Sequence, residues 1–259
     1  MTIRIGIAGI AGRMGRLLAE ETAAAGATLA GGTIRPGASL DSLPPGLPVM
    51  TDIVALCAAC DVVIDFTHAH AARAHALAAA ETGTPLVLGS SGLSAGDEAA
   101  VAEMAARVPI VYAANFAPGV NLFLAIAERM AAALPGAQYD AEIVEMHHRQ
   151  KVDAPSGTAV ALGRAVAAGR GTTLEEAGRE SGRDGHCGAR GTGTIGFAAL
   201  RGGQVVGEHT LIFAAASEQI SLTHKSFDRR VYATGAVRAA LWVKGRPAGL
   251  YGMKDVLGM

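Results

Sequence analysis

The chain has 259 residues, 50% of them hydrophobic, which suffices for one large or two smaller domains with a sizeable core and excludes wholesale disorder. Its 22 Lys and Arg against 23 Asp and Glu give a formal charge of −1, so no global electrostatic footprint for nucleic acid is present. That neutral balance leaves small molecules or further copies of the chain as the expected partners, and Cys57, Cys60 and Cys187 are too few and too unevenly spaced for a disulfide framework, which fits a reducing compartment.

Met1-Thr2-Ile3-Arg4-Ile5 runs straight into a strand pattern without the architecture of a signal peptide, so a cytoplasmic location is expected. The first half then alternates short apolar runs with Ala-rich amphipathic stretches, the pattern of parallel β-α units. Strands are expected at residues 3–8, 27–34, 61–66, 85–88 and 109–112, with helices between them, the first over 12–25. Residues 35–50, rich in Pro and Gly, read as loop. Cys57-Ala-Ala-Cys60 has redox or zinc spacing, but no second Cys pair completes a site; it reads as part of an Ala-rich helix, and no metal is expected. Residues 108–127 carry no charge, yet Pro109, Asn115, Pro118, Gly119 and Asn121 interrupt the run and argue against a membrane span.

Near Pro118 the character changes. A helix over 120–134 leads to a strand at 139–146, and after a polar turn a second helix begins near Ser156. Residues 169–192, dense in Gly, Arg, Thr and Glu, read as a mobile or ligand-gated loop. Three β-type runs follow at 194–200, 204–213 and 218–224, with Arg201-Gly202-Gly203 read as a hairpin turn joining the first two. A final helix over 229–244 returns to the first domain. The fold class is therefore α/β: a Rossmann-like dinucleotide-binding domain (residues 1–118 with 229–259) and a C-terminal α+β domain (119–228) containing a mixed or antiparallel sheet, for substrate and oligomerisation. Hinges near Pro118 and Asp228 would let the two close on a substrate.

Gly9-Ile10-Ala11-Gly12-Arg13-Met14-Gly15 sits between the first strand and the first helix. Glycines there let the backbone approach a pyrophosphate, and the helix start supplies free N–H groups and a positive dipole end. Ala11 stands where the dinucleotide fingerprint usually has its second Gly. The second strand ends in Thr33-Ile34-Arg35 with no carboxylate for ribose hydroxyls, and Arg35 suits a 2′-phosphate, so NADPH is expected to be preferred with NADH still usable.

Glu145-Met146-His147-His148-Arg149-Gln150-Lys151 brings protonatable and cationic groups to the mouth of a strand. Val152-Asp153-Ala154-Pro155-Ser156-Gly157-Thr158-Ala159 follows at a helix start, a ready carboxylate site with proton donors beside it. Taken alone, these residues also fit another NAD(P)-dependent imine or amino-acid reductase on the same scaffold, or a dinucleotide sensor without turnover.

The run from Glu145 to Ala159 resembles the signature of the dihydrodipicolinate reductase family. Further family-like stretches lie in family order: Asp65-Phe66-Thr67, Gly89-Ser90-Ser91-Gly92, Ala114-Asn115-Phe116, Gly193 to Phe197, Gly207 to Thr210 and Gly235 to Ala240. The resemblance implies reduction of 4-hydroxy-tetrahydrodipicolinate to tetrahydrodipicolinate in lysine and diaminopimelate biosynthesis by a homotetramer. It implies that Gly9, Ile10, Ala11, Gly12, Arg13 and Met14 hold the cofactor pyrophosphate. Gly89, Ser90 and Ser91 with Ala113, Ala114, Asn115 and Phe116 would line the nicotinamide side. His147 and Lys151 match the proton donors; His148, Lys151, Ser156, Gly157 and Thr158 match contacts to a small dicarboxylate substrate.

Overall fold

The computed structural model describes residues 2–35, 37–39 and 43–259, so the loop read over 35–50 lies partly outside the described residues. The chain divides into two compact units, residues 1–118 with 230–259 and residues 119–229.

The first unit begins with β1 (Arg4–Ala8), α1 (Arg13–Ala24), β2 (Thr28–Thr33), β3 (Val49–Met50), α2 (Ile53–Ala59) and β4 (Val62–Asp65). It continues with α3 (Ala69–Thr82), β5 (Leu86–Leu88), α4 (Ala95–Ala105) and β6 (Pro109–Tyr112). β3 falls inside the stretch read as loop; its two residues pair with Gly32 and Thr33 at the sheet edge, too short a run to leave a sequence pattern.

The second unit holds α5 (Pro118–Ala133), β7 (Asp140–His147), α6 (Gly157–Gly169), α7 (Leu174–Ala177), β8 (Arg179–Ser181), β9 (Ile195–Arg201), β10 (Gly207–Ala214) and β11 (Gln219–Ser226). The chain then returns to the first unit with α8 (Arg230–Val243), β12 (Gly249–Tyr251) and α9 (Met253–Leu257).

The first unit is a parallel sheet in the order β12-β6-β5-β4-β1-β2-β3. The side chains of its inner strands alternate between two cores. Ile5, Ile7, Val62, Ile64, Val87 and Val111 pack under α1, α8 and α9, while Val63, Leu86, Leu88 and Ile110 pack under α2, α3 and α4. That is why these strands read as continuous apolar runs. Gly6 lies on the second face, where a Cβ would sit 2.9 Å from Leu56 and Cys60. Cys57 and Cys60 belong to this packing: burial pushes their thiols up to about 11 and about 12, the opposite of a reactive pair. Strand order reverses between β1 and β4, and a doubly wound sheet binds ligands at the carboxyl edge of such a switch point.

In the second unit the sheet order is β11-β10-β7-β9-β8, with β7–β10–β11 antiparallel and β7–β9–β8 parallel. β9 and β10 are not a hairpin. They flank β7 on opposite sides, and the 202–206 connection crosses the end of β7. There Gly202 N donates to His147 O at 2.9 Å, and His148 N donates to Val205 O at 2.7 Å. The Gly-Gly pair signals a turn, but it cannot say which strands the turn joins. Residues 169–192, read as loop, contain α7, set by a Thr173–Glu176 capping box, and β8, paired with β9.

One face of this sheet carries layers of packed side chains. Ala141, Ile195 and Phe213 form one apolar layer and Ile143, Phe197 and Leu211 the next, beneath Leu162, Val166 and Ala167 of α6. Towards the carboxyl end of β7 the layers turn polar, with Glu145 opposite His209, and His209 opposite His224. No helix among the described residues is long and apolar enough to cross a membrane.

Gly235 on α8 marks a close approach within the first unit: a Cβ there would lie 1.7 Å from Phe116 O. Gly235→Ala is therefore expected to destabilise the protein by about 1–3 kcal/mol, read as a lowered urea midpoint. An unchanged midpoint would mean that α8 can shift away from the Phe116 carbonyl at no cost.

Candidate active site

The first unit presents a cavity of about 410 Å³ at the carboxyl edge of β1 and β4. Gly9, Ala11, Gly12, Arg13 and Met14 line it together with Ile34, Arg35, Phe66, Thr67 and His68. Gly9 has φ +70, and a Cβ on Gly15 would lie 2.4 Å from Gly9 O, so the turn folds tightly onto the start of α1. Gly9 N is anchored to Thr33 Oγ1 at 3.1 Å and Ile10 N to Thr33 O at 3.0 Å. Ile10 itself is fully buried and props the turn from the core. Gly12 is the N-cap, and the first turn of α1, Arg13-Met14-Gly15-Arg16, brings no carboxylate to its positive end. These features fit a dinucleotide pyrophosphate. Arg35 is exposed at the cavity, where a phosphate could reach it.

The other predicted cofactor residues follow β5 and β6 along the same edge. Gly89 lies flat against the Phe66 ring, which a Cβ would approach to 2.3 Å, and the Phe66 and Phe116 rings are 5.3 Å apart. Ser90 is buried with its hydroxyl unpartnered among the described residues, a polar atom suited to a ligand; Ser91 and Ala114 are exposed. Asn115 Oδ1 accepts from Ala117 N at 2.9 Å and shapes the turn that also carries Ala113.

Behind Phe66 and Thr67 stands a carboxylate that the sequence places in a family-like stretch without assigning it a role. The fully buried Asp65 accepts from Thr67 N at 2.8 Å and Thr67 Oγ1 at 2.6 Å, and its other oxygen meets His75 Nδ1 at 2.6 Å. Thr67 is thereby held against the glycine turn: a Cβ on Gly9 would touch its methyl group at 2.8 Å.

In the second unit, His147, His148, Lys151 and the Ser156-Gly157-Thr158 turn gather at the carboxyl end of β7. Glu145 and His147, two apart on the strand, point to the same face, and both are buried. Glu145 Oε2 meets His147 Nδ1 at 2.6 Å, and Arg201 spans both carboxylate oxygens at 2.7 and 2.8 Å. Glu145 Oε1 also accepts from Ser156 N at 3.1 Å. Ser156 Oγ accepts from Ala159 N and meets His209 Nε2 at 2.9 Å, so this hydroxyl is the cap of α6 and is committed to structure. Gly157 is exposed just beyond it, and Thr158 is half-buried. Lys151 Nζ pairs with Asp153 at 2.8 Å, and His148 Nδ1 is buried without a partner among the described residues.

With this geometry in place, residues 3–116 match the model described as dihydrodipicolinate reductase, N-terminus, and residues 119–257 match dihydrodipicolinate reductase, C-terminus. The chain belongs to the dihydrodipicolinate reductase family. It is 67% identical over 258 residues to the 4-hydroxy-tetrahydrodipicolinate reductase of Granulibacter bethesdensis, covering 100% of this chain and 98% of that one. The reductase of Gluconacetobacter diazotrophicus is 60% identical over 257 residues, covering 99% and 98%. Among solved structures, the dipicolinate-bound dihydrodipicolinate reductase of Paenisporosarcina sp. TG-14 superposes with a TM-score of 0.80 at 25% identity, covering 99% of this chain and 100% of that one.

The electrostatics of the reductase cluster follow from burial and from who donates to whom. Burial works to raise the Glu145 carboxyl, but Arg201, His147 and the Ser156 N–H outweigh it and hold the group below its ordinary value. Burial lowers the His147 imidazole, with Glu145 opposing, so the ring favours its neutral form. His209, edge-on to His147 at 5.0 Å, is pushed down to about 4 by burial and by that neighbour.

His209, Glu145 and Arg201 were given no role from the sequence. The alternation of Glu145 and His147 could have revealed the first. Arg201 and His209 arrive on strands paired with β7, Arg201 lying 56 residues along the chain from Glu145 and His209 lying 53 from Ser156, and no local pattern says which partners they meet.

The low value of His209 has a consequence for stability. The folded state keeps it neutral down to about 4 whereas the ordinary value is 6.5, so its contribution is complete above about pH 6.5 and lost as pH falls towards 4. The melting temperature is expected to drop between pH 7 and pH 4.5, and His209→Gln to flatten that drop. Parallel profiles for the two proteins would exclude His209 as the source.

Proposed function

We propose that this chain reduces 4-hydroxy-tetrahydrodipicolinate to tetrahydrodipicolinate, with residues 1–118 and 229–259 holding the dinucleotide and 119–228 the substrate. The reading rests above all on the site of the second unit, where a buried, carboxylate-held histidine stands beside Lys151 and a helix start suited to carboxylates. Reduced nicotinamide, when bound, supplies a hydride to ring C4 of the conjugated imine left by loss of water. Gly9, Gly12, Arg13 and Met14 would hold its pyrophosphate on the N-terminus of α1. Ser90 and Phe116 would frame the nicotinamide side.

Lys151 and the N–H groups of the Gly157-Thr158 turn hold the two substrate carboxylates. These charges favour a protonated His147, against the burial that keeps it neutral without substrate. His147 then gives a proton to the ring carbon next to the reduced one. Its remaining proton stays on Nδ1, hydrogen-bonded to Glu145, so the histidine returns to the neutral form as the product forms. The protein's share is thus positioning and charge, while the hydride is the cofactor's.

NADPH is the preferred cofactor on this reading, with NADH also accepted, because Arg35 stands at the cavity and Ile34 leaves no acid for the ribose. A homotetramer joined through the open face of the second sheet, where Leu200 is exposed, and a cytoplasmic location complete the proposal.

The test is consumption of NADPH and NADH with the product of dihydrodipicolinate synthase, made in situ. Oxidation of either that requires the dicarboxylate is expected. Binding of both without consumption would overturn the assignment. His147→Gln and Lys151→Met should lower turnover by about 10²-fold or more with dinucleotide affinity unchanged; near-normal turnover in both would remove them from the reaction. Arg35→Ala should raise KM for NADPH about tenfold and leave that for NADH within twofold. Equal changes for the two cofactors would discard the 2′-phosphate role.

A further inference from the structure

Glu145 receives four hydrogen bonds, and their arrangement divides its two oxygens. Oε1 takes Arg201 Nη2 and Ser156 N, while Oε2 takes Arg201 Nη1 and His147 Nδ1. A carboxylate can only accept, so the nitrogen of His147 that faces it must carry the hydrogen. The other ring nitrogen, Nε2, points towards Gly207, where a Cβ would lie 3.0 Å away and the missing side chain leaves it room. The neighbouring His209 ring is tied to Ser156 Oγ and does not compete for Glu145.

We propose that Glu145, clamped by Arg201, is the positioning residue of the reduction: it fixes His147 as the Nδ1–H tautomer and thereby assigns the transferred proton to Nε2. This deepens the reading given above and rests on the role proposed there for His147. In the step itself the Nε2–H bond breaks as the new C–H bond forms on the substrate, and Nδ1 keeps its hydrogen throughout. Solvent restores the Nε2 proton before the next turnover. The same carboxylate holds Ser156 N, so the proton donor and the helix start that would receive a substrate carboxylate share one anchor. A second use of the cluster, as a buried ion pair that serves stability alone, makes no demand on the tautomer.

The charged and titratable groups facing His147 are Glu145 on its own strand, Arg201 from β9, His209 from β10 and Lys151 from the turn that follows. Among these, Glu145 alone offers an acceptor to Nδ1. Replacement by Gln gives a sharp prediction. The amide oxygen is required by Arg201 Nη2 and Ser156 N, which turns the amide nitrogen towards His147 and makes Nδ1 the acceptor. The ring must then carry its hydrogen on Nε2.

The experiment is imidazole 15N NMR on the full-length protein without dinucleotide, together with steady-state kinetics. At neutral pH wild type should show His147 as Nδ1–H, and Glu145→Gln as Nε2–H. Turnover of Glu145→Gln should fall about 10²-fold or more with KM for the dinucleotide unchanged, the scale on which a wrong tautomer disables general acid–base catalysis. Added to His147→Gln, the same change should cost nothing further. Retention of Nδ1–H in Glu145→Gln, or losses that multiply in the double variant, would overturn the proposal. Arg201→Lys keeps the carboxylate but gives up the two-pronged clamp, so it should keep Nδ1–H and lose less turnover than Glu145→Gln. A switch to Nε2–H in Arg201→Lys would also overturn it, even if Glu145→Gln failed to fold. Wild type that consumes no dinucleotide with the dicarboxylate would remove the reaction, while the NMR result would still decide the tautomer.

Discussion

The carboxylate of Glu145 is taken almost completely out of water, and the second unit is organised around the donors that make this tolerable. One comes from β7 itself, one from the start of α6, and a pair from the end of β9. Remove any of these segments and a buried anion is left short of partners, at a cost of several kcal/mol. The position of α6, the register of β9 and the orientation of His147 therefore depend on one another. The apolar layers below supply the packing energy, and the polar layer above specifies which arrangement of the strands is used.

The first unit solves a comparable problem with backbone in place of charge. Its glycine turn needs room for its own chain, and Gly9 and Gly15 provide it by carrying no side chain where neighbours crowd. Asp65 then plays the supporting part: fully buried, it takes both the backbone and the hydroxyl of Thr67 and fastens that residue beside the turn. In each unit a buried acid lies just behind the residues proposed to face a ligand. Such support restricts the rotamers of the working groups before anything binds.

Much of this was legible in the sequence because it is written locally. The apolar runs of β1, β4, β5 and β6, the glycine turn and the Glu145 to Ala159 stretch each carry their signal within a few residues. What the sequence hid was pairing. Arg201 looked like part of a turn because Gly202 and Gly203 follow it, yet its strand lies beside β7, and the next strand lies on the far side of β7. His209 lies in an alternating run that resembles the family, but its place opposite Glu145 comes only from the strand pairing. β3, β8 and β12 are two or three residues long and exist because a neighbouring edge accepts them. Ser156 shows the converse: its type and place suggested contact with a substrate, but the hydroxyl is consumed by capping α6 and by His209.

The course of the chain through the first unit has a consequence for how the protein is made. Ala233, Ala236, Val237, Ala239, Ala240 and Val243 of α8 and Met253 and Val256 of α9 fill the core beneath β1, β4, β5 and β6. A ribosome delivers those strands long before it delivers the helices that cover them. Throughout synthesis of residues 119–229 the nascent first unit therefore has one face of its sheet only partly covered. The second unit, whose strands are contiguous in the chain, can close first. The core of the first unit is completed only once α8 and α9 have emerged, so this unit, begun before the second, can close after it.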